Sequence, residues 1–171
     1  MTKLAMPKID RKLISKKVEV IANLKKIIIA ENVLDHEDEL RPFETDALSA
    51  YKQKPLAVVF PKNTKEVSKI LAYCNQERIK VVPRGAGTGL SGGALPLADS
   101  ILLCLGKFNK IIDIDYKNRC VVAQPGVTNL SITKAVEDKG FYYAPDPSSQ
   151  IACSIGGNVA ENSGGVHSLK Y

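Results

Sequence analysis

The chemistry legible in this chain is carried by glycine rather than by a nucleophile or a metal ligand. Pro83-Arg84-Gly85-Ala86-Gly87-Thr88-Gly89-Leu90-Ser91-Gly92-Gly93 follows directly on the strand-like Ile79-Lys80-Val81-Val82. A loop of this composition can turn several backbone N–H groups toward one anion. A second run, Ser154-Ile155-Gly156-Gly157-Asn158-Val159-Ala160-Glu161-Asn162-Ser163-Gly164-Gly165, comes about 60 residues later, after the stiff Pro145-Asp146-Pro147-Ser148-Ser149-Gln150. Two such loops point to a large phosphate-bearing cofactor. Gly87, Gly89 and Gly92 spell G-x-G-x-x-G, but a Rossmann site needs a helix opening on the last glycine. Gly93-Ala94-Leu95-Pro96 is hostile to that helix, so the Rossmann reading is set aside. A P-loop is excluded because neither run ends in Gly-Lys-Ser/Thr, and the chain holds no nucleophile-base triad and no H-E-x-x-H.

Taken together, PRGAGTGLSGG and APDPSSQIACSIGGNVAENSGGVHSLKY resemble the FAD-binding domain of the flavoenzyme family typified by p-cresol methylhydroxylase and vanillyl-alcohol oxidase. Within that family the likeness is to the FAD-linked subunits of glycolate oxidase and to the D-lactate and D-2-hydroxyglutarate dehydrogenases. It runs from about Pro55 to Tyr171. The resemblance implies an α+β fold of two subdomains, a small β-α-β subdomain plus part of a larger mixed or antiparallel sheet. Enzymes of the family are considerably longer, so the expectation is a truncated, N-terminal portion. Residues 1–54 then form an N-terminal helical segment and linker, and 55–171 an incomplete FAD-binding domain.

The resemblance also assigns roles. FAD would be held without a covalent bond. Gly85, Ala86, Gly87 and Gly89 would let the backbone approach its pyrophosphate, with hydroxyl donors from Thr88 and Ser91. Arg84 pairs either with a phosphate or with a carboxylate elsewhere in the fold, and both readings stay open. Pro145, Asp146 and Ser149 form a rigid polar loop suited to the ribityl chain and flavin edge. Gly156, Gly157 and Gly165 allow flat packing on the cofactor, and Asn158 and Asn162, one helical turn apart, would share a face. Some members of the wider family attach flavin through a histidine. In this subgroup they do not, so His167 is read as a polar or structural residue near the FAD. His36, among consecutive acids, reads as a solvated turn. The implied reaction is oxidation of a 2-hydroxy acid of the glycolate or D-lactate type to the 2-oxo acid. The implied partners are that substrate and other oxidase subunits, namely a second flavin-domain subunit and an iron-sulfur subunit. No catalytic residue and no metal ligand is assignable in 1–171, and little turnover is expected from this chain alone. Two readings stand beside it: the same fold with another substrate, such as an enolpyruvyl sugar or a sugar alcohol, and a non-catalytic module.

Composition suits a soluble α/β-type domain, at 44% hydrophobic and 25% charged residues. The opening residues lack an apolar h-region, and the expected location is the cytoplasm, at most touching the inner face of a membrane. Cys74, Cys104, Cys120 and Cys153 form no C-x-x-C and read as reduced structural thiols. The net charge of +6 belongs wholly to residues 1–26, which hold eight Lys/Arg against Asp10 and Glu19. Nucleic-acid binding is disfavoured, because the chain has no Trp and no interleaving of aromatic with basic residues.

The elements that must position the loops alternate in order. One amphipathic helix is expected over about Asp10–Ala30, with Ile14, Val18, Ile21 and Ile28 inward. Leu56–Phe60 reads as a buried strand, and Asn63-Thr64-Lys65-Glu66 as a capping box opening a helix with Val67, Ile70, Leu71 and Cys74 on its apolar face. Strands are expected at Ile79–Val82, Ser100–Leu105, Lys110–Asp115 and Arg119–Gln124, the last two forming a hairpin. A helix should run from a Thr128 N-cap to Lys139 with Gly140 as its C-cap. Residues 31–54 read as linker-like.

Overall fold

Strand β4 (Ser100–Cys104) is buried along its whole length because its alternating side chains feed two separate cores. The computed structural model describes residues 7–170. Four strands form its main sheet in the order β1-β2-β4-β3, with β1 (Val33–Leu34), β2 (Ala57–Val59) and β3 (Lys80–Arg84). β4 runs parallel to both β2 and β3, and β1 pairs antiparallel with β2. Period-two alternation sorts the side chains. Ala57, Val59, Ile101 and Leu103 join one core with Leu13, Val20, Ile21 and Leu24 of the N-terminal helices and Ile70 and Cys74 of a later one. Val58, Leu102 and Cys104 join the other, against Leu40, Phe43 and Phe60.

The helix over Thr64–Gln76 starts where its capping box predicts. Asn63 accepts the Glu66 N–H at 3.0 Å and Glu66 accepts the Lys62 N–H at 2.8 Å. Ile70 and Cys74 are buried as expected, whereas Leu71 is 44% exposed, on the flank of the stripe. This helix carries the chain from β2 to β3 with β4 seated between them, so the first glycine loop leaves the carboxyl end of a parallel strand. β3 runs through Pro83 to Arg84, two residues past the expected Val82. It is the sheet's edge, and Arg84 accepts the Leu105 N–H at 3.0 Å, which by alternation turns the backbone nitrogen of Pro83 to the open side.

Three expectations need correction. The single helix over 10–30 is two: α1 (Arg11–Ser15), capped by Asp10, and α2 (Lys17–Ile27), with a break at Lys16. The break rotates the stripe by one residue, so Leu13, Val20, Ile21, Leu24 and Ile28 are buried while Ile14 and Val18 face solvent. Residues 31–54 are no linker. They supply β1, the short helix α3 (Glu37–Leu40), capped at His36, and the buried Leu40 and Asp46. The helix after Thr128 stops early: α4 here denotes Thr64–Gln76 and α5 Asn129–Lys134, followed by a 3-10 turn over Glu137–Lys139. Gly140, at φ 75°, closes that turn as its predicted C-cap. The hairpin β5 (Ile111–Asp115) and β6 (Cys120–Ala123) forms as expected, with a bulge between Ile111 and Asp113. All four cysteines are free, and burial lifts the thiols of Cys74 to about 11 and Cys104 to about 12, which leaves both protonated and unreactive. No helix among the described residues is long and apolar enough to cross a membrane.

Asp99 ties the N-terminal segment to the sheet. Its carboxylate, 2% exposed, accepts the Asp10 N–H at 2.8 Å and the Lys80 ammonium at 2.7 Å. Burial would raise its pKa, but these two partners outweigh that and hold it below the ordinary carboxylate value. A depressed folded-state pKa means the stabilisation is complete above about pH 4 and is lost as pH falls through the folded value. Asp99→Asn is therefore expected to lower stability by about 1–2 kcal/mol at neutral pH. In denaturant titrations the gap to wild type should close toward pH 3.

Candidate functional site

The two glycine segments meet at Gly85 and Ser154. A Cβ on Gly85 would collide with Ser154 Oγ, and Gly157 Cα lies 3.9 Å from the same point, so only glycine permits the approach. Ser154 is also the N-cap of α6 (Ile155–Glu161), its Oγ accepting the Gly157 N–H at 3.2 Å. Residues 125–128 back this helix: Ile155 N–H donates to Val127 O at 2.8 Å, Gly156 N–H to Pro125 O at 2.9 Å, and Thr128 bridges Ser154.

Between the segments lies one cleft of about 480 Å³. Of the residues singled out from sequence, Arg84, Gly85, Ala86, Gly87, Thr88, Gly89, Ser149, Gly156, Gly157 and Asn158 line it. Ser91, Pro145, Asp146, Asn162 and Gly165 do not. Ser91 is exposed beyond the loop's turn. Asn162 takes φ 55° as the C-cap of α6 and is exposed, so it shares no face with the buried Asn158. Asp146 and Gly165 bridge each other outside the lining, and Pro145 O accepts the Asn129 Nδ2–H at 2.9 Å. His167 belongs to that outer group, its Nδ1 3.0 Å from Asp146 Oδ2, an interaction that holds the Asp146 carboxyl below its usual value.

The polar groups of the cleft are unevenly spent. Arg84 is 9% exposed; its Nη1 donates to Thr45 O at 2.7 Å, and its guanidinium carbon lies 5.8 Å from the Phe43 ring centroid. Gly87, at φ 73°, lies against the guanidinium where a side chain would collide. Among the described residues Arg84 pairs with no carboxylate, so the structural ion pair weighed from sequence is not formed. Asn158 is 6% exposed, and its Nδ2 is buried with no hydrogen-bond partner. Glu161, the other charged residue of the lining, presses its carboxylate against Gly89. Sequence reasoning missed Glu161, Pro125 and Ser154. Ser154 was readable as a hydroxyl N-cap ahead of Gly156-Gly157, whereas nothing local marks Pro125 or Glu161 as facing the cleft.

A double-mutant cycle tests the contact between the segments. Gly85→Ala should cost about 1–3 kcal/mol by overpacking and Ser154→Ala about 1 kcal/mol by loss of the cap. In the double variant the oxygen that clashes is gone, so thermal unfolding should show a total well below the sum of the singles. Strict additivity would mean that the two segments do not touch.

Residues 55–171 match the FAD binding domain family. The glycolate oxidase subunit GlcD of Escherichia coli (strain K12) is 52% identical over 167 residues, covering 98% of this chain and 32% of its own. The D-lactate dehydrogenase of Anaerostipes hadrus is 36% identical over 154 residues, covering 90% of this chain and 32% of its own. The chain thus spans about a third of the length of these relatives. The crystal structure of p-cresol methylhydroxylase with substrate bound superposes with a TM-score of 0.71 at 22% identity, over 88% of this chain and 30% of that one, a likeness of fold. The mixed helix-and-sheet architecture expected from the sequence is the one found, and over residues 55–171 the chain belongs to the FAD-binding domain family.

Proposed function

We propose that this chain is the FAD-binding part of a flavin-dependent oxidoreductase that converts a 2-hydroxy acid of the glycolate or D-lactate type to its 2-oxo acid. The observation that carries the reading is the convergence of two glycine segments, about 60 residues apart, on one cleft. The relatives' names, a glycolate oxidase subunit and a D-lactate dehydrogenase, support the substrate class. Their greater length supports the expectation that the residues acting on substrate lie outside these 171. The word subunit supports action with other oxidase chains. Four free thiols fit a reducing compartment, the cytoplasm.

The residues present fit FAD. Gly85, Gly87 and Gly89 form a cradle that side chains would fill, and Asn158 Nδ2 is a buried donor without a partner. A donor so placed costs stability until a ligand acceptor meets it. When bound, FAD supplies an acceptor for the two electrons that leave the hydroxyl-bearing carbon. The chain's own part is to bind and orient. Backbone N–H groups of the first loop and the Thr88 hydroxyl hold the phosphates, and Arg84, clamped by Thr45 O and Phe43, contributes a fixed positive field without a mobile side chain. Ser149, Gly156, Gly157 and Asn158 hold the remainder of the cofactor. Residues before 55 act as support, packing beneath the sheet that carries the loop.

The purified chain should be yellow, or turn yellow on addition of FAD, and acid precipitation should release all flavin into the supernatant. Colour retained in the pellet would overturn non-covalent binding. No oxidation of glycolate or D-lactate is expected from the 171 residues alone. Asn158→Leu should weaken FAD binding about tenfold by titration, corresponding to one lost hydrogen bond, without lowering the melting temperature of the cofactor-free protein.

A further inference from the structure

The site makes no use of the excess positive charge, which lies in the N-terminal segment. Among the described residues of the N-terminal segment, 7–26, seven cations stand against Asp10 and Glu19. Three of the seven are engaged locally: Lys17 donates to Asp35 O at 3.0 Å, Lys25 pairs with Asp35 at 3.4 Å, and Lys26 bonds Asn23 at 3.0 Å. The Asp10 carboxylate is spent on the N–H groups of Lys12 and Leu13, and Glu19 is the one other acid of the segment. Lys8, Arg11, Lys12 and Lys16 remain exposed, with no side-chain partner among the described residues. They are interleaved in sequence with exposed apolar side chains, Ile9 at 49% just ahead of α1, and Ile14 at 38% and Val18 at 82% on either side of the helix break. All seven lie within the eleven residues 8–18, so they concentrate charge and apolar surface on one short exposed patch of chain.

We propose that this patch is a peripheral docking surface for an anionic lipid bilayer. Charge complementarity selects an anionic partner, and the composition selects a membrane over a protein. Lysine is depleted at protein–protein interfaces, and the patch offers no aromatic anchor or pocket of the kind that dominates them. Basic side chains interspersed with isolated aliphatic ones on a short exposed segment suit a headgroup layer, where the cationic groups meet phosphates and the aliphatic tips enter the acyl boundary. The patch lies on the α1–α2 layer, whose other face is buried against the sheet, so docking leaves both cores intact.

Co-sedimentation of the full chain with vesicles of phosphatidylcholine alone, and of phosphatidylcholine with phosphatidylglycerol, tests this. Binding should require phosphatidylglycerol and fall steeply as ionic strength rises. At about fivefold per charge, the variant K8Q/R11Q/K12Q/K16Q should bind several-hundred-fold more weakly. V18D should lose binding that persists at higher salt. All altered positions are exposed, so both variants should melt with wild type; if the quadruple variant does not, the pairs K8Q/R11Q and K12Q/K16Q, each expected to weaken binding about 25-fold, replace it. Equal sedimentation with the neutral vesicles, no binding to the anionic ones, or insensitivity to the charge variants would overturn the proposal. Retention on immobilised poly-glutamate without binding to vesicles would also overturn it, in favour of an acidic protein partner.

Discussion

Gly85 and Ser154 pack so closely that a single methyl group on Gly85 would collide with Ser154 Oγ, and the cleft lies between the two segments that meet there. One side of that contact is the end of β3, fixed by its parallel register on the buried β4. The other is the cap of α6, fixed by the backbone bonds from Pro125 and Val127. A short helix of seven residues has little stability of its own. Its position is borrowed from the segment it leans on, and the cleft's shape follows from two elements held at one point of hard-sphere contact.

Electrostatically the cleft is sparse. Arg84 and Glu161 are the charged side chains of its lining, and Arg84 is immobilised by a carbonyl and a ring rather than by an acid. Pairing with a carboxylate would have neutralised its field. Anchoring through a carbonyl leaves the positive charge uncompensated beneath the glycine loop, where an anionic ligand would meet it. Glu161, against Gly89, makes the opposite end of the loop unfavourable for a second anion, so the lining is polarised along its length.

Much of this was legible from residue types. The capping box at Asn63–Glu66, the apolar strand over Ser100–Cys104, the hairpin near Tyr116–Asn118 and the αL stop at Gly140 are local signals, and local physics decides them. What failed depended on distant partners. A smooth helical stripe over 10–30 ignored the break at Lys16, because the competing gain, burial of Leu13 with Leu24 under the sheet, is tertiary. Residues 31–54 read as linker because two-residue β1 has no periodicity to detect, although it closes one side of β2. Asn162 was placed on the face of Asn158 by counting turns, and the left-handed residue that ends α6 is Asn162 itself. Glu161 and Pro125 reach the cleft only through the tertiary course of the chain, which no spacing rule records.

The open side of β3 is the free edge of the strand leading into the glycine loop. An uncovered strand edge is ordinarily a template on which a second molecule can extend the sheet. Pro83 interrupts it, since a nitrogen without hydrogen leaves one rung missing on the side that faces outward. The residue that stiffens the entry to the glycine loop therefore also removes one rung from any sheet that would be extended through that strand, next to the mouth of the cleft.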